Sequence, residues 1–393
     1  MSVRRRSAEL ACRILQRTLP PQLQPWGWAV RHEIDDIADD TEALLFVLDG
    51  VRGFAPRILA FHLLRAFAPA RNDALSSGGT IDMGFYDNAV LRPRALGIAC
   101  AVAAALLGLA YMAAAGAPMR YLGINSGALI AGLVLLVLVG RVMPEARRWP
   151  GAITLTLAIL LLITALLANP VEGATRWVRV GALFLQPSLI LLPVMIVGFA
   201  RSRNALSTVG MVVTAAALAI QPDRAMAGML AAGMTALAVL RPDRLVLTAF
   251  VGSIGGFGVT LFRADTLPAV QYVDQILYSA FDVHVFAGLA VLGGSILLIV
   301  PAIVGLFNDA DRREAYWAFG IAWLAAIVAA ALGNYPTPIV GYGGSAVLGY
   351  VLSLTVLPKR AGSRLGAEGP HCEEADDGRP SHLQLRVGLS YSA

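Results

Sequence analysis

From about residue 95 onward the chain is a succession of long apolar runs separated by short polar breaks. Runs of roughly 15 to 22 residues with few charges recur as far as residue 357, each able to cross a hydrocarbon core of about 30 Å as a helix. The pattern predicts about ten spans, near 95–115, 124–143, 150–169, 186–200, 205–221, 225–240, 244–262, 284–306, 315–333 and 343–357. Residues 1–90 differ. In "HEIDDIADDTEALLFVLDGVRGFAPRILAFHLLRAFAP" apolar residues alternate with charges at helical spacing, and Asp49, Arg52, Arg57 and Arg65 interrupt every run. Two or three amphipathic helices are predicted there, some lying on the bilayer surface. "NDALSSGGTIDMG" reads as a linker, and the polar stretch 359–393 as a disordered cytoplasmic tail. The expectation is an all-α polytopic membrane protein in three parts: a small cytoplasmic helical region and linker at 1–90, a ten-span domain at 91–358, and the tail.

Composition agrees with that class. With 57% hydrophobic residues, 15% charged residues and a mean hydropathy of +0.67, the apolar content exceeds what a soluble core of this size absorbs. The net charge of +5 reflects loop placement in such a chain and is no argument for nucleic acid. Lys and Arg fall on alternating loops, 13 on one side (Arg92, Arg94, Arg141, Arg147, Arg148, Arg201, Arg203, Arg241, Arg244, Arg312, Arg313, Lys359 and Arg360) against 5 on the other (Arg120, Arg176, Arg179, Arg224 and Arg263). The positive-inside rule then puts both termini in the cytoplasm. The first span is expected to serve as the insertion signal, since "MSVRRRSAELACRILQR" lacks an uninterrupted apolar core. Cys12, Cys100 and Cys372 are too dispersed for a disulfide framework or a metal site.

Four segments fall together on the outer face: "EGATRWVRVGALFLQPS" (172–188), "QPDR" (221–224), "FRADTLPAVQYVDQILYSAFDVH" (262–284) and "GNYPTPIVGYGGS" (333–345). They are rich in Gly, Pro, Asp, Gln and aromatics. Irregular backbone at membrane depth must be met by protein or by a water-filled cavity, so a polar cleft opening outward is expected. Asp265, Asp274 and Asp282 lie in the third segment; a partly buried carboxylate there would have a raised pKa, suited to a general base. Arg176, Arg179, Arg224 and Arg263 could grip a phosphate or diphosphate, or could only solvate loop ends. Arg176 and Trp177 fit interfacial anchoring as well as substrate contact. Tyr342, Gly343, Gly344 and Ser345 fit a tight turn as well as a substrate lining. Asp223 fits a helix N-cap. No phosphate-binding glycine loop, Ser-His-Asp set or metal-ligand cluster occurs.

These segments resemble the signatures of the SEDS family (shape, elongation, division and sporulation; the FtsW/RodA/SpoVE-like proteins). Gly173, Arg176, Trp177, Val178, Gly181, Gln186, Pro187 and Ser188 match the Gly-x-x-Arg-Trp…Gln-Pro-Ser segment. Gln221, Pro222 and Asp223 match a Gln-Pro-Asp segment, and Pro336, Pro338, Tyr342, Gly343, Gly344 and Ser345 match a Pro-x-Pro…Tyr-Gly-Gly-Ser segment. The resemblance spans roughly residues 92 to 358 and leaves out the first 90 and the tail.

It implies a peptidoglycan glycosyltransferase that polymerises lipid II, an undecaprenyl-diphosphate-linked substrate, at the outer face of the bacterial cytoplasmic membrane, in cell division or cell-shape control. A class B penicillin-binding protein is the implied partner, beside membrane lipids. By the resemblance Asp274 is the catalytic carboxylate, with Asp282 the alternative. Arg176, Trp177, Arg179, Gln186, Arg263, Tyr342, Gly343, Gly344 and Ser345 are the substrate-binding candidates. No cofactor is implied with certainty; a divalent cation is an alternative to arginine for offsetting diphosphate charge.

The chain departs from the family at named positions. "QPSLILLP" places Leu189 and Leu192 where the family carries Glu and Lys. Arg224 and Ala225 replace Leu-Gly, and the His-Thr-Asp-Phe context around the loop aspartate is missing. This divergent pattern leaves two other functions open: a non-catalytic scaffold for a penicillin-binding protein, or a transporter of lipid-linked precursor.

Overall fold

The first three helices are α1 (Val3–Thr18), α2 (Gln24–Asp36) and α3 (Asp40–Phe67). Ala8, Cys12, Ile34, Ala43 and Val47 form a small apolar cluster of their own, separate from the main core. Ser2 caps α1 by accepting from the Arg5 N–H, and the Arg5 guanidinium donates to the Ile34 and Ile37 carbonyls at 2.6 and 2.7 Å. A cation at a helix C-terminus satisfies orphan carbonyls and complements the dipole. The computed structural model describes residues 2–20, 23–37, 39–67, 92–142, 151–168, 175–181, 183–263 and 268–358, all within the unit Met1–Gly362. The linker expected at 72–84 and the tail expected from 359 lie outside them.

Apolar helices follow at nearly every position the hydropathy pattern indicates. They are α4 (Pro93–Ala114), α5 (Met119–Val142), α6 (Gly151–Leu167), α7 (Pro187–Arg201), α8 (Ala205–Ile220), α9 (Arg224–Leu240) and α10 (Arg244–Leu261). After the short α11 (Ile276–Val283) come α12 (Val285–Leu297), α13 (Val300–Asn308), α14 (Arg313–Leu332) and α15 (Gly344–Ser353). Five helical segments are long and apolar enough to cross a membrane: Pro93–Ala114, Met119–Arg141, Arg244–Leu261, Val285–Asn308 and Ala310–Leu332; five shorter apolar helices accompany them. The protein is a helical polytopic membrane protein. Large apolar side chains such as Leu106, Ile130, Val134, Ile163 and Val251 face outward, as a lipid solvent allows and water does not.

The span predicted at 284–306 is broken between α12 and α13. Pro301 lacks an N–H, and the Ala302 N–H turns to the Ile299 carbonyl at 3.0 Å. The Leu298 carbonyl, left without that helical donor, accepts from the Tyr350 hydroxyl at 3.2 Å. Helix α7 sits at the centre, packed on α14, α15, α9 and α6. Phe199, Tyr316, Phe319, Trp323 and Tyr350 are fully buried around it, with Trp323 and Tyr350 ring centroids 5.0 Å apart. Aromatics supply the largest apolar surfaces a core can bury.

Among the described residues, the one strand pairing falls in the segment 172–188. Val178–Val180 and Leu183–Leu185 pair as a short antiparallel hairpin, with Val178 opposite Leu185 and Val180 opposite Leu183. Gly181 makes the reversal at φ +61°, a conformation glycine adopts without a Cβ penalty. β-branched Val178 and Val180 and aromatic Phe184 favour strand over helix here.

The end of α15 is held by arginines. Arg94 donates to the Thr355 and Leu357 carbonyls and Arg201 to the Val356 carbonyl. Arg203 and Arg241 both pair with Glu314, and Arg203 also reaches Asp243 at 3.4 Å. Segments predicted on the arginine-rich side therefore contact one another.

Candidate functional site

The three signature segments are joined by buried hydrogen bonds. Gln186, the N-cap of α7, donates its side-chain amide to an Asp223 Oδ at 2.9 Å, and the Ser188 hydroxyl donates to the same oxygen at 2.8 Å. The other Asp223 oxygen accepts from the Met226 N–H and so caps α9, the N-cap the sequence indicates. The Gln186 backbone N–H donates to Ser345 Oγ at 2.9 Å, and the Arg176 guanidinium donates to the Pro222 carbonyl. Asp223 is fully buried, and Arg176, Gln186 and Ser345 are nearly so. Polar groups at such depth persist when paired.

Beside this joint lies a cavity of about 660 Å³. Its wall is mostly apolar, from Ile124, Ala131, Leu183, Leu189 and Val273 among others, with Arg176 and Asp274 its charged residues. Asp274 is 9% exposed. One carboxylate oxygen accepts from the Val270 N–H at 2.9 Å. Burial pushes its pKa above the ordinary aspartate value, and the Val270 N–H only partly opposes that.

The loop that carries Asp274 is tied to the loop before α15. The Thr337 N–H donates to the Val273 carbonyl at 3.0 Å and the Tyr342 N–H to the Tyr272 carbonyl at 2.6 Å. Tyr272, Gln275 and Ile339 all adopt positive φ, at +66°, +58° and +64°. Side chains other than glycine rarely do so, and such strain concentrates where the surroundings over-determine the backbone. Asp274 thus lies between two left-handed residues on a doubly anchored loop.

Of the residues singled out from sequence, Asp274, Arg176, Trp177, Gln186, Tyr342, Gly343, Gly344 and Ser345 line this one cavity. Arg179, Arg263 and Asp282 do not. Arg179 is exposed, donates to the Gly181 carbonyl at 3.0 Å and lies 5.9 Å from the Phe184 ring centroid. Arg263 is exposed, and its carbonyl accepts from Arg224. Asp282 is exposed near the end of α11. Gly173 and Asp265 lie outside the described residues. Leu189 lines the cavity, and Leu192 is fully buried in the core.

Four further residues shape the site. Asn125 in α5 donates to the Gly341 carbonyl at 2.8 Å and accepts from the Gly343 N–H at 3.1 Å, clamping the turn before α15. Tyr121 stacks on Tyr342 with centroids 3.9 Å apart and meets Tyr272 edge-on at 6.3 Å. Thr337 lines the cavity at 2% exposure, and its hydroxyl has no hydrogen-bond partner among the described residues. Asn125 had a sequence signal, being a lone amide inside an apolar span; Thr337 and the tyrosines had none. Among the described residues no group of three or more His, Cys, Asp or Glu converges to hold a metal ion.

No protein-family model matches the chain, and no curated protein matches it. Among solved structures the chain is similar to the crystal structure of Thermus thermophilus rod shape determining protein RodA, at 18% identity and a TM-score of 0.47, over 65% of this chain and 92% of that one. It is likewise similar to the structure of a single-substitution mutant of that protein, at 18% identity and a TM-score of 0.46, over 65% of this chain and 93% of that one.

Proposed function

We propose that the chain is a SEDS-type peptidoglycan glycosyltransferase that extends glycan from lipid II at the outer face of a bacterial cytoplasmic membrane, both termini inside, beside a class B penicillin-binding protein. The observation that carries this reading is Asp274. A buried carboxylate with a raised pKa lines one cavity with residues from two of the three signature segments, while the third, at Asp223, is bonded to that wall.

The chemistry is a substitution at an anomeric carbon. A sugar hydroxyl attacks that carbon, the carbon–oxygen bond to the lipid diphosphate breaks, and the hydroxyl proton passes to the Asp274 carboxylate. A positioned general base contributes about 10²–10⁴-fold. Arg176 on the wall supplies positive charge toward the departing diphosphate, whereas Arg179 and Arg263 stand exposed outside the cavity; a divalent cation would serve the same end. The apolar wall suits a prenyl chain, and Gln186, Tyr342 and the Gly343–Ser345 turn suit the polar end of the substrate.

A second reading, a non-catalytic scaffold, is favoured by Leu189 and Leu192. Both are apolar and buried where the family it resembles carries Glu and Lys, and an exchange of paired charges for apolar side chains preserves packing while removing charge. Polymerisation of lipid II by the purified protein, alone and with candidate class B penicillin-binding proteins, separates the two. Activity that disappears in Asp274→Ala and survives in Asp282→Ala supports the enzyme. A wild-type protein inactive with every partner supports the scaffold.

A further inference from the structure

Asn125 stands on the second turn of α5 and is 3% exposed. Its side-chain amide donates to the Gly341 carbonyl at 2.8 Å, and its side-chain oxygen accepts from the Gly343 N–H at 3.1 Å. One side chain thus holds the backbone on both sides of Tyr342. We propose that Asn125 is a positioning residue for Asp274: by fixing the turn at 341–343 it fixes the loop that carries the carboxylate, and so where that carboxylate stands in the cavity. The inference rests on the reading of Asp274 as the general base.

The turn meets the loop at the two residues before Asp274. The Tyr342 N–H donates to the Tyr272 carbonyl at 2.6 Å and the Thr337 N–H to the Val273 carbonyl at 3.0 Å. Gly341 is pressed against the same loop, since a Cβ there would come within 3.1 Å of the Ile276 side chain and 3.2 Å of the Tyr272 oxygen. Tyr121 lies four residues before Asn125, on the same face of α5. Its ring stacks on Tyr342 at 3.9 Å and meets Tyr272 edge-on at 6.3 Å. Two side chains of one regular helix therefore grip the turn and, through it, the loop.

The loop needs that grip. Tyr272 and Gln275 adopt φ of +66° and +58°, a conformation such side chains leave unless their surroundings impose it. The bond from the Val270 N–H to the Asp274 carboxylate lies within the loop, so it shapes the loop without locating it against α5. The outside constraint arrives through the turn, and the turn is irregular backbone whose own polar groups need partners at membrane depth. A leucine at 125 would fill the space and leave the Gly341 carbonyl and the Gly343 N–H without theirs. An amide that merely satisfied the turn would cost stability when lost, with no particular effect on the Asp274 loop.

The test uses the full chain purified in detergent. Asn125→Leu keeps the volume and loses both bonds. Asn125→Gln keeps a donor and an acceptor on a longer arm, and it carries the same comparison should the leucine variant not fold. Ser353→Ala is the control for ordinary destabilisation, because it removes the buried acceptor of the Trp323 Nε1–H at the far end of α15. Hydrogen exchange read by mass spectrometry is expected to speed up by about three- to ten-fold in peptides covering 268–278 and 335–345 of Asn125→Leu, the size of one ordinary hydrogen bond. Asn125→Gln should fall between that and the wild type, and Ser353→Ala should match the wild type there. This arm reads the positioning whether or not the wild type polymerises lipid II; an inactive wild type would overturn the glycosyltransferase reading alone. In an active protein, Asn125→Leu is expected to lower kcat by up to about 10²-fold with KM changed by less than about two-fold, the signature of a displaced catalytic group. It should add little to the loss in Asp274→Asn, because residues that act as a unit are not additive. Exchange at 268–278 that rises no more in Asn125→Leu than in Ser353→Ala, or activity losses that multiply in full with Asp274→Asn, would each overturn the proposal.

Discussion

The Gln186 side-chain amide donates to the Asp223 carboxylate at 2.9 Å, joining the cap of α7 to the cap of α9 inside the bundle. Asp223 also accepts from the Ser188 hydroxyl and the Met226 N–H, and it is fully buried. Asp223→Ala strands three buried donors at once. Each buried group left unpaired costs about 1–3 kcal/mol, with partial relief by relaxation, so a net loss of about 3 kcal/mol is expected. Thermal unfolding in detergent checks it. Asp223→Asn keeps a carbonyl oxygen for part of the set and is expected to lose less than half as much; equal melting of all three proteins would refute the joint.

Asp274→Asn is expected to lower lipid II polymerisation by about 10²–10⁴-fold, the range of a lost general base, while leaving the fold at least as stable. Burial raises the Asp274 pKa, so the folded state holds this proton more tightly than the unfolded chain does. The group's favourable contribution is complete below the unfolded value and is lost as pH rises through the folded value. At neutral pH the ionised carboxylate therefore weighs against folding, and asparagine removes that cost while keeping an acceptor for the Val270 N–H. Melting temperatures at pH 7 and near pH 4 test the sign: the variant should gain on the wild type at the higher pH only. The acid limb of the wild-type rate profile should lie above the usual aspartate range.

Span positions were legible in the sequence because hydropathy over 15 to 22 residues integrates many side chains, and the helices from α4 to α15 follow it closely. The break near Pro301 was not anticipated, since the span was expected unbroken over 284–306, and its repair by Tyr350 depends on a contact across 52 residues that no local pattern encodes. The hairpin at 178–185 was missed because six strand residues inside an apolar context leave too short an alternation to register. At the site, residue types near the cavity could be named from motifs, whereas their partners could not. Arg179 and Arg263 carried the same charge signal as Arg176, and only tertiary structure separates the lining residue from the exposed ones. Thr337 and Tyr121 carried no signal, since a threonine in a loop and a tyrosine at a helix start are ordinary.

Thr337→Val tests whether the cavity wall holds a hydroxyl for a substrate. Thr337 is 2% exposed and its buried hydroxyl has no partner among the described residues, an arrangement that costs about 1–3 kcal/mol in a fold without compensating gain. Valine keeps the shape and removes the cost, so the melting temperature is expected to hold or rise. Polymerisation is expected to fall by about three- to ten-fold, the size of one ordinary hydrogen bond. Unchanged activity together with higher stability would make the hydroxyl a packing residue and remove it from the site.

Gly349→Ala probes how α15 reaches α7. Pro193 has no N–H to give the Leu189 carbonyl one turn back, which leaves that oxygen without its helical donor. Gly349 packs against the same carbonyl, and a Cβ there would overlap the Leu189 oxygen and crowd the Ile190 Cα at 3.1 Å. Both obstacles are backbone, so they yield only if a helix moves. Overpacking of this kind costs about 1–3 kcal/mol. The displacement also pulls on the bond from the Gln186 N–H to Ser345 Oγ, four residues before Gly349 on the same helix, so polymerisation should fall with stability. Gly123→Ala in α5 is the matched control, because a Cβ at 123 meets nothing within 4 Å. It is expected to be neutral or slightly stabilising, by up to about 1 kcal/mol. Indistinguishable melting of the two variants would mean that the approach of α15 to the Leu189 carbonyl does not hold the helices in register.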